Sequence, residues 1–415
     1  MSYGKLRASY GVVGNRAPRY VANVLYNQSS LQTQLGSVTQ LTYASSYGNL
    51  QLKPEMKYEQ EYGVETRFLR DRLGFDFTYY SNQVKDVIMA LNVAPSTGAA
   101  NLLANAATLH SNGFEVALNG KPVTGKFNWD VRLNFAINRS KTNNLAPGFD
   151  KLTFYYGDQS ALAVVAEANQ LIGNILVYPV AKDANGNKIV NGDGLYTIDK
   201  SKYVNVGNIQ PKIVGGIANT FNYKGFSLDV LVDYRWGGKM VSNPLKYGTA
   251  AGMYESTLQY RDAAHGGLAY YIDGSGNKHL GTAPGGSKTY NDGVILPGVN
   301  ENGQKNTTIV DAASYYLNTY DWGENSVNEN AVFKNNYVKL RELVFGYRLP
   351  VSVSKALHLN NLRISLVGRN LLYVYRTLKN LDPEAPIGDT WYRQGVDEGS
   401  SPATRSFGFS LNANF

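Results

Sequence analysis

The sequence predicts an all-β fold: an antiparallel transmembrane β-barrel, crossing its membrane with strands instead of helices. Three observations predict it. Apolar and polar residues alternate with period two in about ten segments, no segment carries a helical period beyond two turns, and the connections alternate between short and long. Composition sets the outer limits. Of 415 residues, 31 are Tyr, 42 are Gly and none is Cys, and charged residues make up 17%, against roughly 25% in ordinary globular domains. A mean hydropathy of -0.30 and interspersed charges leave no run of ~18 apolar residues, which excludes a helical membrane protein. Aromatics at 12% exclude a disordered chain. The absence of Cys removes a disulfide framework and any Cys-ligated metal or redox site. The net charge of +8 is dispersed, without a run of five like charges, and gives no case for nucleic acid.

The elements follow in order. Residues 1–15 hold no basic stretch followed by an apolar one, so no signal peptide is visible; Leu6, Ala8, Tyr10 and Val12 already alternate as a strand. That start predicts a truncated domain. In the second strand Tyr62, Val64, Thr66 and Phe68 face one way and Glu59, Glu61, Glu65 and Arg67 the other. After Arg70, Asp71 and Arg72 come Leu73, Phe75, Phe77 and Tyr79, set against Asp76, Thr78 and Tyr80. Phe114, Val116 and Leu118 mark a fourth strand. The fifth places Phe127, Trp129, Val131, Leu133, Phe135 and Ile137 against Asn128, Asp130, Arg132, Asn134 and Asn138. Strands at 213–223 and 226–236 follow, the latter with Asp229, Asp233 and Arg235 on its polar face. Residues 337–349 read as a strand with a phase slip near Glu342, and 361–376 as another. The last pairs Phe407, Phe409, Leu411, Ala413 and Phe415 against serines, Gly408 and asparagines. One helix is expected, at 160–172.

Connection lengths carry the topology. Segments 14–57, 88–110, 141–211, 237–336 and 377–403 are long; 70–72, 120–125, 224–225 and 350–360 are short. Compact soluble domains rarely carry loops beyond ~15 residues, whereas membrane barrels alternate short periplasmic turns with long extracellular loops. An ordinary β-protein would bury the apolar faces in a core. A barrel turns them to lipid around a polar lumen, which makes Glu59, Glu61, Glu65, Arg67, Asp76, Asp130, Arg132, Asp229, Asp233 and Arg235 the candidate lumen-lining residues. Tyr79, Tyr80, Trp236, Tyr347 and Tyr373 are expected in the interfacial girdles.

No catalytic motif, metal-ligand spacing or cofactor motif is present: His110, His265, His279 and His358 are scattered. The same-face carboxylates fit lumen lining better than the opposed pair that glycoside hydrolysis needs. Residues 183–194 lack the order of a calcium loop and read as a hairpin instead. In the long loops, Tyr320 and Trp322, and Trp391, Tyr392 and Arg393, offer rings and polar groups for a substrate or a protein partner; packing within the loops is the alternative.

Several stretches together resemble SusC/RagA-type TonB-dependent outer-membrane transporters of the Bacteroidetes. They are KLRASYGVVGN at 5–15, LKPEMKYEQEYGVE at 52–65, SNGFEVALNG at 111–120, the segment 206–238, NNYVKLRELVFGYRLP at 335–350, GRNLLYVYRTLKNLDPEA at 368–385 and the terminal Phe415. Ser111 departs from the Asn that the family often carries there. The resemblance implies that residues 1–415 are the carboxy-terminal portion of the barrel, about ten of about 22 strands. Plug, TonB box and first strands would then lie upstream, absent from this chain. It implies import of an oligosaccharide or peptide, a SusD-like surface lipoprotein docked on loops 141–211 and 237–336, and coupling to the TonB complex through the missing amino-terminal region. Outer-membrane lipid surrounds such a barrel, and its assembly machinery reads a terminal signal matching Phe407, Phe409, Leu411 and Phe415. The rival readings are a passive porin or barrel-based adhesin, and a soluble β-rich carbohydrate-active protein.

Overall fold

The computed structural model describes residues 1–17, 19–21, 23, 26–34, 36–43, 46–384 and 395–414. The alternating segments become ten long strands: β1 (Tyr3–Asn15), β2 (Glu55–Phe68), β3 (Leu73–Asn92), β4 (Asn101–Val123), β5 (Phe127–Leu145), β6 (Ile213–Tyr223), β7 (Phe226–Trp236), β8 (Tyr337–Arg348), β9 (Asn361–Arg376) and β10 (Ser406–Asn414). They hydrogen-bond in chain order, each antiparallel to the next, along one path of a single sheet. This neighbour-to-neighbour meander is what hairpin connections enforce.

Strand length exceeds what the alternation shows. β3 and β4 together run from Leu73 to Val123, interrupted only at 93–100, so the connection expected over 88–110 is mostly a continued hairpin. The cause is a pair of register shifts between Val84 and Ile88, with Asp86 at φ 58°. Each inserted residue resets the period, and alternation stops being visible. A similar shift in β8 between Leu340 and Glu342 accounts for the phase slip there.

The short connections sit at one end of the sheet. Three are tight turns at 69–72, 124–126 and 224–225; the fourth, 349–360, holds a short helix α3 (Val351–Ala356). At the other end the long connections fold on themselves. Residues 151–208 form a four-stranded sheet whose strand Leu162–Glu167 replaces the helix expected at 160–172. Leu162, Ala163, Val164, Val165 and Ala166 are all buried. A strand buried on both faces shows no period two, and the run reads equally as helix. Segment 237–336 adds helices α1 (Asn243–Ala250) and α2 (Ala312–Tyr320). The hydrophobic core of the molecule lies here, in one cluster around Val164, Ile175 and Val241 and a second around Val190, Leu296 and Val310.

Candidate functional site: the polar face and its folded loops

Residues directly opposite in an antiparallel pair point to the same face. Register therefore carries one face across the wall. Arg67 faces Gly74, Glu65 faces Asp76, Glu61 faces Tyr80 and Glu59 faces Asn82; Thr78 faces Glu115; Glu115 faces Ala136 and Asn119 faces Arg132. Asp130 then faces Thr220, Thr220 faces Asp229, and Gly216 faces Asp233. All ten predicted polar residues thus share one face. Several are bonded across strands, Arg7 to Asp76 at 2.8 Å, Arg363 to Asp229 at 3.3 Å and Arg341 to Asp233 at 2.5 Å, and Arg67 meets Glu65 along β2 at 3.1 Å. Arg132 Nε donates to Asn119 Oδ1 at 2.9 Å, and Lys57 meets Glu59 at 2.8 Å.

The opposite face is apolar and open. Phe407, Phe409 and Leu411 of β10 are 78%, 70% and 56% exposed, and Leu366 beside them 63%. Trp129 and Phe221 stack at 5.9 Å, and Phe226 and Tyr347 meet at a tilt with centroids 4.5 Å apart. The one amide among the Trp129–Phe221 rings is satisfied, since Trp129 Nε1 donates to Asn219 Oδ1 at 3.1 Å. An apolar face this wide is far beyond what a water-soluble monomer exposes. Two girdle expectations are corrected. Tyr80 and Tyr373 lie on the polar face, where Tyr80 Oη donates to Asn138 Oδ1 at 3.0 Å and Tyr373 hydrogen-bonds Asp382. Successive strand residues point oppositely, so Tyr79 and Tyr80 cannot share a girdle. Tyr80 instead lies over Gly113, where a Cβ would come within 2.6 Å of its hydroxyl.

At the loop end, sequence reading missed a charged lock. Glu384, from segment 377–405, accepts from Lys339 Nζ at 2.6 Å, from Arg341 Nη1 at 3.0 Å and from Tyr337 Oη at 3.0 Å. Burial alone would raise the Glu384 carboxyl, but the hydrogen bonds from Arg341 and Lys339 hold it down at about 2. A cavity of about 670 Å³ opens beside it, lined by Lys339, Asn370, Tyr373 and Asp382 among others. A second buried pair ties two long loops together. Lys246 of α1, wholly buried, meets Asp158 at 2.5 Å, Ser326 at 2.6 Å and Asn328 at 3.0 Å. Buried Ser242 donates to Asp397 Oδ2 at 2.7 Å, which brings in the third loop. None of these partners is adjacent in sequence, and no local pattern marks them.

The loop aromatics divide. Tyr320 packs against Tyr315 and Tyr316, whereas Trp322 is 62% exposed. Trp391, Tyr392, Arg393 and Phe415 lie outside the described residues. The 183–194 segment is the hairpin expected. Asp183 Oδ1 accepts from the Asn185 and Asn187 amides at 2.9 and 2.8 Å. The same turn recurs at Asp273 and Asn300, so this carboxylate serves the backbone.

An antiparallel wall with one charged and one apolar face, short turns at one end and folded loops at the other, defines part of an outer-membrane β-barrel. Comparison with known proteins agrees. Residues 3–371 match the family described as TonB dependent receptor-like, beta-barrel, and the chain belongs to that family. It is 23% identical to TonB-dependent receptor P3 of Formosa agariphila, across 99% of this chain and 39% of the relative. It is 24% identical to TonB-dependent receptor P39 of the same organism, across 56% of this chain and 26% of that one. Among solved structures, the RagAB peptide transporter superposes with a TM-score of 0.67 at 18% identity, covering 99% of this chain and 40% of that one. The RagAB importer in its closed-closed state gives 0.66 at 19% identity, covering the same shares. The chain thus spans about two-fifths of the length of the relatives that match it along its whole length.

Proposed function

We propose that these residues form part of the barrel wall of an active importer that carries oligosaccharides or peptides across the outer membrane. The ten charged residues from Glu59 to Arg235 line its lumen. Loops 146–212 and 237–336 receive a SusD-like surface lipoprotein, Trp322 being the exposed aromatic on offer. The energy comes from TonB, acting on a plug that such transporters carry ahead of the barrel. The observation that carries this reading is the pairing of one charged face with loops that own a hydrophobic core. A passive pore needs the first but not the second. The fold shared with RagAB, a peptide importer, supports the same reading.

The test is uptake of labelled oligosaccharides and peptides by cells carrying the whole transporter, with and without TonB. Import should be saturable and should vanish without TonB. Uptake that persists without TonB, together with constitutive conductance in planar bilayers, would establish the passive porin instead.

A further inference from the structure

Among the described residues, one half-buried arginine on the polar face is held only by a backbone carbonyl. Arg235 lies near the loop end of β7, where its Nη2 donates to the Ile209 carbonyl at 3.0 Å. Its Nε is shut off from solvent and meets no acceptor. No carboxylate pairs with Arg235 among the described residues; exposed Arg132 on β5 likewise turns to an amide, whereas Arg341 and Arg363 are each ion-paired with an aspartate of β7. Leaving a guanidinium partly desolvated and uncompensated costs several kcal/mol in general, so the position calls for an anion that the described residues do not supply.

The surroundings show where the anion would sit. Arg235 lines a cavity of about 530 Å³ between the wall and segment 146–212. The neutral polar groups there already bond to one another or to backbone. Ser111 Oγ lies 2.7 Å from Ser140 Oγ, Asn138 Nδ2 donates to Ser140 Oγ at 3.1 Å, and Gln210 Nε2 donates to the Ser140 and Ile172 carbonyls at 2.7 Å each. Val87, Leu109, Ile172 and Ile209 supply apolar walls. Its one carboxylate among the described residues is Glu55, whose oxygens accept from the Ile88 amide at 2.7 Å and Asn15 Nδ2 at 2.8 Å. Glu55 stands on β2, five strand spacings from β7, or roughly 24 Å along the sheet. It does not neutralise Arg235.

We infer that this cavity is a carboxylate-anchoring subsite on the import route, with Arg235 as the anchor. The enclosed Nε is out of a ligand's reach, but the terminal Nη groups can take a carboxylate end-on through two parallel N–H···O bonds, and the apolar walls accept the body of the ligand. The carboxylate is the end of a short peptide or the acid group of a uronic sugar. The inference rests on the proposed import function and narrows it to acidic cargo.

The test uses the full-length transporter in neutral detergent, titrated calorimetrically with two matched pairs of probes: trialanine and its carboxamide, and trigalacturonate and its methyl ester. In one pair the acid should bind about tenfold tighter than its neutral partner, or more; that pair identifies the source. Arg235→Gln should bring the acid down to the neutral affinity and leave the neutral affinity unchanged, and Arg235→Lys should restore part of the preference. Heat-modifiable migration checks that the variants fold. Their melting temperature should hold or rise, because an uncompensated charge has been removed; a fall would make Arg235 a structural residue and overturn the assignment. Equal binding of acid and neutral probes by the wild type, binding of none of the four, or a preference that survives Arg235→Gln would also overturn it. The import reading fails separately, if wild-type uptake does not require TonB.

Discussion

The two ends of the wall return the chain to the sheet in opposite ways. At the turn end, Lys224 and Gly225 close the β6–β7 hairpin with φ of 47° and 87°, the left-handed pair that a two-residue hairpin requires. Residues there are exposed, and Arg70, Arg72, Lys126 and Lys224 outnumber Asp71. At the loop end, segments 146–212 and 237–336 bury Val164, Val190 and Val241 completely and enclose the Lys246–Asp158 pair. Local backbone geometry holds the first end; tertiary burial holds the second. Damage should therefore stay small and local at the turns and become cooperative in the loops.

The largest effect is expected at the buried pair. Asp158→Ala strands the Lys246 ammonium and should cost the loop body roughly 3–5 kcal/mol. Limited proteolysis should cut within 146–336 while the strands stay protected. Next is the lipid side: Phe409→Arg places a charge on the apolar face and should cost about 2–4 kcal/mol if it lies near mid-bilayer, read as the loss of heat-modifiable, membrane-inserted protein. The Glu384 lock follows. Its carboxyl is held at about 2, below its ordinary 4.5, which corresponds to about 3 kcal/mol of linked stability. A depressed carboxyl contributes fully above its unfolded value and loses that contribution as pH falls through the folded one. Amide protection factors in segment 377–384, taken against the intrinsic exchange rate at each pH, should thus be high at pH 7 and fall between about pH 4.5 and 2, and Glu384→Gln should lower them already at pH 7. The smallest effect belongs to the turn end. Gly225→Ala, at φ 87° with the Arg348 carbonyl 3.0 Å from the new Cβ, should cost about 1 kcal/mol, read as a small shift in melting temperature.

The same contrast decides what was legible in the sequence. All ten wall strands can be read from alternation, because each has one wet and one apolar face and period two reports that difference. Residues 162–167 cannot, because both faces are buried and the period vanishes. Residues 86–88 cannot, because bulges shift the phase. The charged residues of the polar face can be assigned to it one by one, Asp229 and Asp233 from a single strand. Their partners cannot: Lys339 meets Glu384 across 45 residues and Lys246 meets Asp158 across 88. Arg235 is legible as a polar-face residue, yet that no carboxylate among the described residues meets it appears only when the surrounding side chains are placed.

The central claim is that the charged face looks into a lumen and the apolar face into lipid. The chain contains no cysteine, so single cysteines can be placed one at a time from Leu228 to Asp233, labelled with a fluorophore in the membrane-embedded protein, and quenched by lipid-borne or water-borne quenchers. Positions 228, 230 and 232 should respond to the lipid quencher and 229, 231 and 233 to the aqueous one, in strict alternation. Uniform quenching along the strand, or alternation in the opposite phase, would contradict the account.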